Sequence, residues 1–74
     1  SISGSFGDPN EACNEGPNQC FTAYNIESFA LGEFIYTDST CRTELSDGIY
    51  YNCETNQYFS YTRYPTGIGD INNC

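Results

Sequence analysis

The clearest pattern in the chain is a pair of short aromatic stretches on either side of a polar loop. Residues 48–52 and 57–62 are rich in tyrosine and phenylalanine, and the segment CETN between them has a common hairpin loop length. Asp47 and Gly48, a strong turn signal, come at the start of the first stretch. The pattern predicts an antiparallel β-hairpin.

Three further segments have strand-like patterns. Residues 20–25 (CFTAYN) alternate apolar and polar side chains, residues 34–36 are β-like, and residues 68–71 (IGDI) follow the turn segment YPTG. The segment IESFALGEFIY is ambiguous, because it could hold one helical turn before Gly32 interrupts any helix. TDST at residues 37–40 is a turn cluster. We therefore predict a small all-β domain of about five short, mostly antiparallel strands, held by disulfides and with little or no helix.

The first part of the chain has little periodicity. Residues 1–19 consist largely of Gly, Ser, Pro, Asn and Glu, which predicts an irregular N-terminal arm or linker before a β domain at residues 20–74. The N-terminus lacks the basic start and apolar core of a signal peptide, so a secreted protein would be represented here by its mature chain or an excised piece. The longest apolar-looking run is too short to cross a bilayer and contains Glu33, so no membrane insertion is expected.

The cysteines indicate disulfides. A domain of 74 residues is marginally stable without cross-links. The cysteines form no CxxC pair and there is no histidine, which argues against a zinc site and favours an oxidising, extracellular setting. Two disulfides with one cysteine left over allow several connectivities. We expect Cys20 to pair with Cys53 at predicted strand ends, and Cys74 to pair with Cys13 or Cys41. The fifth cysteine is then free or bonded to another chain.

The charge of the chain limits its partners. Ten carboxylates face only Arg42 and Arg63, a formal net charge of -8. This balance argues against binding nucleic acid or an anionic membrane surface. A calcium-rich medium would relieve the repulsion, so calcium is the one cofactor we consider. Its weak candidate ligands are Asp8, Asn10, Glu11 and Glu15, but an EF-hand loop fails because Ala12 and Cys13 occupy its fifth and sixth positions.

The residues needed for common catalytic mechanisms are missing. The chain has no histidine for a nucleophilic triad, no lysine for a Schiff base and no glycine-rich phosphate loop before a helix. Asp38 and Asp47 are interpreted as turn residues. We expect no catalytic residues and no enzymatic activity.

The aromatic side chains suggest a contact surface. Because alternate residues of a strand face opposite sides, the tyrosines of the hairpin lie on both faces of the sheet, and one face should be partly exposed. Ile2 and Phe6 of the N-terminal arm could anchor that arm as an added strand on a neighbouring subunit. The candidate residues for self-association or ligand binding are Ile2, Phe6, Tyr50, Tyr51, Tyr58, Tyr61 and Tyr64.

Several short motifs also resemble a known kind of module. Tyr36-Thr37-Asp38-Ser39, the segment from Thr43 to Leu45, Asp47-Gly48 followed by Tyr50, and Gly67-Ile68 leading to Cys74 resemble a module of bacteriophage tail-fibre or appendage proteins and of extracellular adhesin-like proteins of Bacteroidetes-type bacteria. The resemblance covers residues 11–74, and Cys20 and Cys53 depart from its usual pattern. The resemblance implies a structural, display or adhesive role and no catalytic activity.

Together these patterns give two expectations for function. The first is a structural or adhesive module of an extracellular fibre, filament or phage appendage, at a cell surface or virion, that forms a homo-oligomer or polymer. The alternative is a secreted monomeric binding module of carbohydrate-binding, toxin-like or inhibitor-like type, with a glycan as a possible partner.

Overall fold

The computed structural model describes residues 1–25 and 28–74. It contains the strands β1 (Ile2–Phe6), β2 (Gly48–Asn52), β3 (Gln57–Thr62) and β4 (Gly67–Asn73), with the helix α1 (Pro9–Glu15) and a 3-10 turn (Gly16–Asn18) between β1 and β2. The strands form one antiparallel sheet in the order β1-β2-β3-β4. The fold is therefore small and all-β, with four strands where about five were expected.

The predicted hairpin forms with the expected bounds. Tyr50 lies opposite Phe59 in the β2–β3 register. The loop at residues 53–56 closes because the N–H of Asn56 donates to the carbonyl of Asn52 at 3.1 Å. The next turn leads into β4 at Gly67, which has a φ of 77°. A side chain there would also strike the carbonyl oxygen of Glu33 at 2.5 Å, so this position requires glycine.

The structure corrects the prediction of an irregular arm at residues 1–19. Residues 2–6 form an edge strand paired with β2, and residues 9–15 form a helix. This segment belongs to the same small fold as the rest of the described chain.

Two other segments also differ from the sequence prediction. Residues 20–25 are not a strand, because only Phe21 and Tyr24 form isolated bridges, to Ile2 and Tyr36. In the ambiguous segment, residues 26 and 27 lie outside the described residues, and residues 28–36 contain bends and a turn but no helix.

The two faces of the sheet are covered by different parts of the chain. We call the face that carries Tyr50, Phe59 and Tyr61 the core face; Ile35 and Leu45 from the segment before β2 pack against it. We call the opposite face the helix face. There Ala12 of α1 is fully buried, and Gly16 lies so close to Tyr51 that an added Cβ would be 2.5 Å from the Tyr51 side chain.

Two disulfides join the covering segments to the sheet. Cys20 is bonded to Cys53, the pair expected from the sequence, and Cys74 is bonded to Cys13, one of its two expected partners. The first bond ties the segment after the 3-10 turn to the β2–β3 loop, and the second ties α1 to the end of β4. In the part of the chain that the structure describes, no helix is long and apolar enough to cross a membrane.

Candidate interaction surfaces

The structure buries most of the residues predicted to form a contact surface. Ile2, Tyr50, Tyr51 and Tyr61 are each at most 5% exposed, so these four side chains are core residues and are not available to a partner on the folded chain. Phe6 and Tyr58 are half-buried. Of the predicted set only Tyr64, at 76%, is largely exposed. The reason is that a small domain with few large aliphatic side chains fills its core with tyrosine.

Tyr61 shows how a buried tyrosine is accommodated. Its hydroxyl accepts the N–H of Ile35 at 2.9 Å and donates to the Glu44 carboxylate at 2.7 Å. The same carboxylate oxygen accepts the N–H of Tyr64 at 2.8 Å. Burial, which is the larger cause, and the Glu44 carboxylate together raise the pKa of Tyr61 well above its ordinary value. This cluster is structural, because the buried Tyr61 hydroxyl and the N–H groups of Ile35 and Tyr64 find their partners within it.

A small aromatic patch lies at the turn between β3 and β4. The rings of Phe34 and Tyr64 have centroids 5.5 Å apart and are tilted by 40°. Gly67, at the end of this turn, touches the backbone of Gly32 and Glu33. Leu31, in the same chain segment as Phe34, is 64% exposed. Leu31 and Phe34 lie in the segment whose sequence pattern is ambiguous, so no sequence signal marks them as surface candidates.

Each outer edge of the sheet is covered at one residue by another segment of the chain. Ile2 of β1 exchanges two backbone hydrogen bonds with Phe21, at 2.9 and 2.7 Å. Ile68 of β4 bonds to Gly32 and Glu33, at 2.8 and 3.0 Å. Beyond Ile68 the outer side of β4 pairs with no strand among the described residues. That stretch of β4 is therefore an open sheet edge, and so is the outer side of β1 beyond Ile2, where the register with β2 shifts between Ser3 and Phe6.

The loop at residues 37–43 carries the unpaired cysteine. Asp38 accepts the N–H groups of Arg42 and Thr43, each at 2.9 Å, and the hydroxyl of Thr40. The hydroxyl bond from Thr40, followed by the backbone bond from Thr43, lowers the pKa of Asp38. Cys41, within this loop, is half-buried and has a positive φ of 56°. Asp38 is a turn residue here, and so is Asp47, whose carboxylate accepts the N–H of Arg63 at 2.8 Å.

The four weak calcium candidates do not form a metal site. Asp8 caps α1 by accepting the N–H of Glu11 at 2.8 Å, and the Glu11 carboxylate accepts the N–H of Gly7 at 2.9 Å. Asn10 and Glu15 are exposed positions of the same helix. Among the described residues no group of three or more His, Cys, Asp or Glu side chains is placed to hold a metal ion.

A cavity between β1 and the segment covering the core face has a volume of about 120 Å³. Binding sites for small molecules usually measure about 300–1,000 Å³, so this cavity has room for a few water molecules or one small chemical group. Its lining residues are Ser1, Ile2, Ala23, Tyr24, Asn25, Phe29, Ile35, Asn52 and Glu54.

The fold and these surfaces define the class of protein as a small β-sheet domain cross-linked by two disulfides, with an open edge on β4 and an aromatic patch of Phe34 and the exposed Tyr64. Compared with known proteins, the chain matches no family model, no curated protein and no solved structure.

Proposed function

We propose that the chain is a non-enzymatic structural or adhesive module of an extracellular fibre, filament or phage appendage, and that it acts through self-association. The observation that carries this proposal is the open edge of β4 in a domain cross-linked by two disulfides. An exposed strand edge offers unpaired N–H and C=O groups to another strand. Two structural disulfides are typical of small extracellular domains.

Two further features support an extracellular assembly. The motifs at residues 36–39 and 43–50 resemble those of tail-fibre, appendage and adhesin-like proteins, and in the structure they form turns and one strand of the sheet. The cavity, at about 120 Å³, favours contact through the protein surface over the enclosure of a substrate.

Sedimentation velocity over a range of protein concentrations tests the proposal. We expect the sedimentation coefficient to rise with concentration, and to rise further with ionic strength, because salt screens the repulsion between chains of net charge -8. Electron microscopy of the native material should show the chain within a fibre or appendage. A single monomeric species at every concentration and ionic strength would contradict self-association.

The largely exposed Tyr64, whose ring packs on the half-buried Phe34, favours a second candidate function, a secreted monomeric binding module. The exposed Tyr64 ring and the exposed Leu31 side chain offer apolar surface to a glycan or a protein. Screening against a glycan array tests this candidate. Binding that is lost in Tyr64→Ala and kept in Tyr58→Ala would support it, while the absence of any binding would remove the glycan version.

A further inference from the structure

We infer that two copies of the chain join through the outer edge of β4, which forms an antiparallel strand pair with β4 of the second copy. This inference rests on the proposed function, self-association, and names the surface and the register. It replaces the free N-terminal arm considered from the sequence, because β1 is already paired with β2 in its own sheet.

The backbone hydrogen bonds of β4 fix which residues face outward. Near its start, Ile68 bonds to Gly32 and Glu33, so its backbone groups face away from β3. Just past its end, the N–H of Cys74 donates to the carbonyl of Asn56 at 3.2 Å, so Cys74 faces the β3 side. Backbone direction alternates along an antiparallel strand.

The residues between these two ends follow from the alternation. Asn72 and Asp70 face β3, as Cys74 does, and Ile71 and Asn73 face outward. The register shift opposite Ser60 and Tyr61 accounts for the change of phase between Ile68 and Ile71. No described residue bonds to the outward backbone groups of Ile71 or Asn73.

These outward groups are complementary to a second copy of themselves. If Ile71 pairs with Asn73 of the second copy, the outward N–H and C=O groups of both residues are satisfied on both chains. Asn72 then faces Asn72 of the second copy across a two-fold axis. In a register centred on Ile71, only Ile71 would pair with its counterpart in the second copy. The outward groups of Asn73 would not be satisfied by Ile71, so this register is less favourable.

The charges of β4 agree with this register. Asp70 is the one charged residue of β4, and it is exposed. In the register centred on Asn72 the two Asp70 side chains are not opposite one another, so the repulsion of directly opposed like charges is avoided. Neutral asparagine amides meet at the axis instead, where they can hydrogen-bond to one another.

The same geometry predicts a weak dimer. Two outward residues on each chain give a small interface, and interfaces below about 1,200 Å² are characteristic of weak complexes. The net charge of -8 on each copy opposes association further. The pair is symmetric and closes on itself, so this contact gives a dimer and a longer assembly needs a second surface.

Disulfide trapping tests the register. Facing residues of a non-hydrogen-bonded antiparallel pair have Cα atoms about 4.5 Å apart, within the range of about 4.4–6.8 Å that a disulfide spans. Asn72→Cys in a Cys41→Ser background should therefore become a covalent dimer in a glutathione redox buffer. Thr62→Cys in the same background is the control, because Thr62 is an exposed position of β3, one strand removed from the proposed contact, and it should remain monomeric. Peptide mapping must show that Cys13 is still bonded to Cys74.

Amide hydrogen exchange on the unaltered chain gives an independent readout. The exchange of Ile71 and Asn73 should slow as protein concentration rises, while that of Tyr58 should not change. If Asn72→Cys cross-links no better than Thr62→Cys and these two amides show no concentration dependence, the inference is wrong. If sedimentation nevertheless shows association, the proposed function stands and another surface carries it. If sedimentation shows only monomer, both fail.

Discussion

At the scale of single residues, the core depends on tyrosine rings whose hydroxyl groups all find partners. Tyr50 donates to the carbonyl of Ser46 at 2.8 Å, and Tyr51 donates to the Asn56 side chain at 2.9 Å. Tyr61 bonds to Glu44 and Ile35. In the described part of the chain no buried side-chain nitrogen or oxygen lacks a hydrogen bond. Because an unpaired buried hydroxyl is costly, these bonds fix where each ring can lie.

Tyr61→Phe tests this dependence. The substitution keeps the ring but leaves the N–H of Ile35 and one acceptor site of Glu44 without the hydroxyl, so we expect a loss of about 2 kcal/mol in the free energy of unfolding. Urea unfolding followed by tyrosine fluorescence measures it. Tyr58→Phe is the matched control, because the described residues offer the Tyr58 hydroxyl no partner, and it should change stability little. Equal losses in the two variants would argue against the role of the Tyr61 bonds.

Alkaline pH should destabilise the fold through the same residue. Burial raises the pKa of Tyr61 above its ordinary value of 10.0, so above about pH 10 the unfolded chain loses a proton that the folded chain keeps. The stabilising contribution is therefore complete below about pH 10 and falls as the pH rises beyond it. Thermal unfolding between pH 8 and pH 11 should show this fall. The fall should be shallower in Tyr61→Phe; an identical pH profile would contradict the assignment.

At the scale of elements, the short helix α1 depends on its ends. A helix of seven residues is marginal on its own. Asp8 caps its first turn, Pro9 begins it, and the Cys13–Cys74 bond ties it to β4. Its C-terminal end continues into the 3-10 turn, where Gly16 lies against the Tyr51 ring. The helix is therefore positioned by its cap, one disulfide and one close contact.

Gly16→Ala should break that close contact. The added Cβ would lie 2.5 Å from Tyr51, so the 3-10 turn or the ring must shift, and we expect a loss of about 1–3 kcal/mol. Gly7→Ala is the control, because its Cβ would lie 3.8 Å from the Glu11 carboxylate, an ordinary contact. Chemical denaturation of both variants measures the difference. A Gly16→Ala chain as stable as Gly7→Ala would show that α1 can move away from the sheet at little cost.

The elements that could be predicted are those defined by local signals. The β2–β3 hairpin and the start of β4 follow from Asp47, Gly48, the four-residue loop and the YPTG turn, all of which act over a few residues. β1 could not be found in this way, because Ile2 pairs with Asn52, far along the chain, and Ser3 is buried by its bond to the carbonyl of Gly16. The helix did leave a signal. Asp8, Pro9 and Glu11 together form an N-terminal capping pattern.

The contact surface was harder to predict than the fold. The strand pattern alone cannot tell which tyrosine ring is covered, because coverage depends on α1 and on the segment before β2. The helix covers Tyr51, and the segment with Ile35 and Leu45 covers Tyr50 and Tyr61. The open edge of β4 likewise depends on the order of the strands in the sheet, which local sequence patterns do not indicate.

At the scale of the whole molecule, the disulfides connect the two ends of the chain. The Cys13–Cys74 bond joins residues 61 apart and the Cys20–Cys53 bond joins residues 33 apart. Both bonds start within the first 20 residues of the chain; one ends in the hairpin loop at Cys53 and the other just after β4 at Cys74. They cross-link the unfolded chain as well, which reduces its conformational entropy and stabilises the folded state. A domain of this size buries a smaller fraction of its surface than a larger domain does, so packing alone does little to offset the conformational entropy lost on folding.

Paired cysteine substitutions measure this contribution. Cys13→Ala/Cys74→Ala and Cys20→Ala/Cys53→Ala should each lose about 2–4 kcal/mol in the free energy of unfolding. If only chain entropy mattered, removing the bond that closes the longer loop should lower the free energy of unfolding by only about 0.5 kcal/mol more than removing the other, because the dependence on loop length is logarithmic. A larger excess for the first pair would measure the stability that the bond gives to α1 by holding it on the sheet.

The unpaired Cys41 supplies the control for these variants. Its sulfur takes part in no bridge, so Cys41→Ala should change the free energy of unfolding by less than about 1 kcal/mol. Alkylation of the unaltered chain in denaturant without reductant should add one group, at Cys41, and intact mass should show four hydrogens fewer than the fully reduced chain. More than one alkylated cysteine would contradict the two bridges. If Cys13→Ala/Cys74→Ala were as stable as Cys41→Ala, the covalent link between helix and sheet would be dispensable, and packing of Gly16 on Tyr51 would be enough to hold α1.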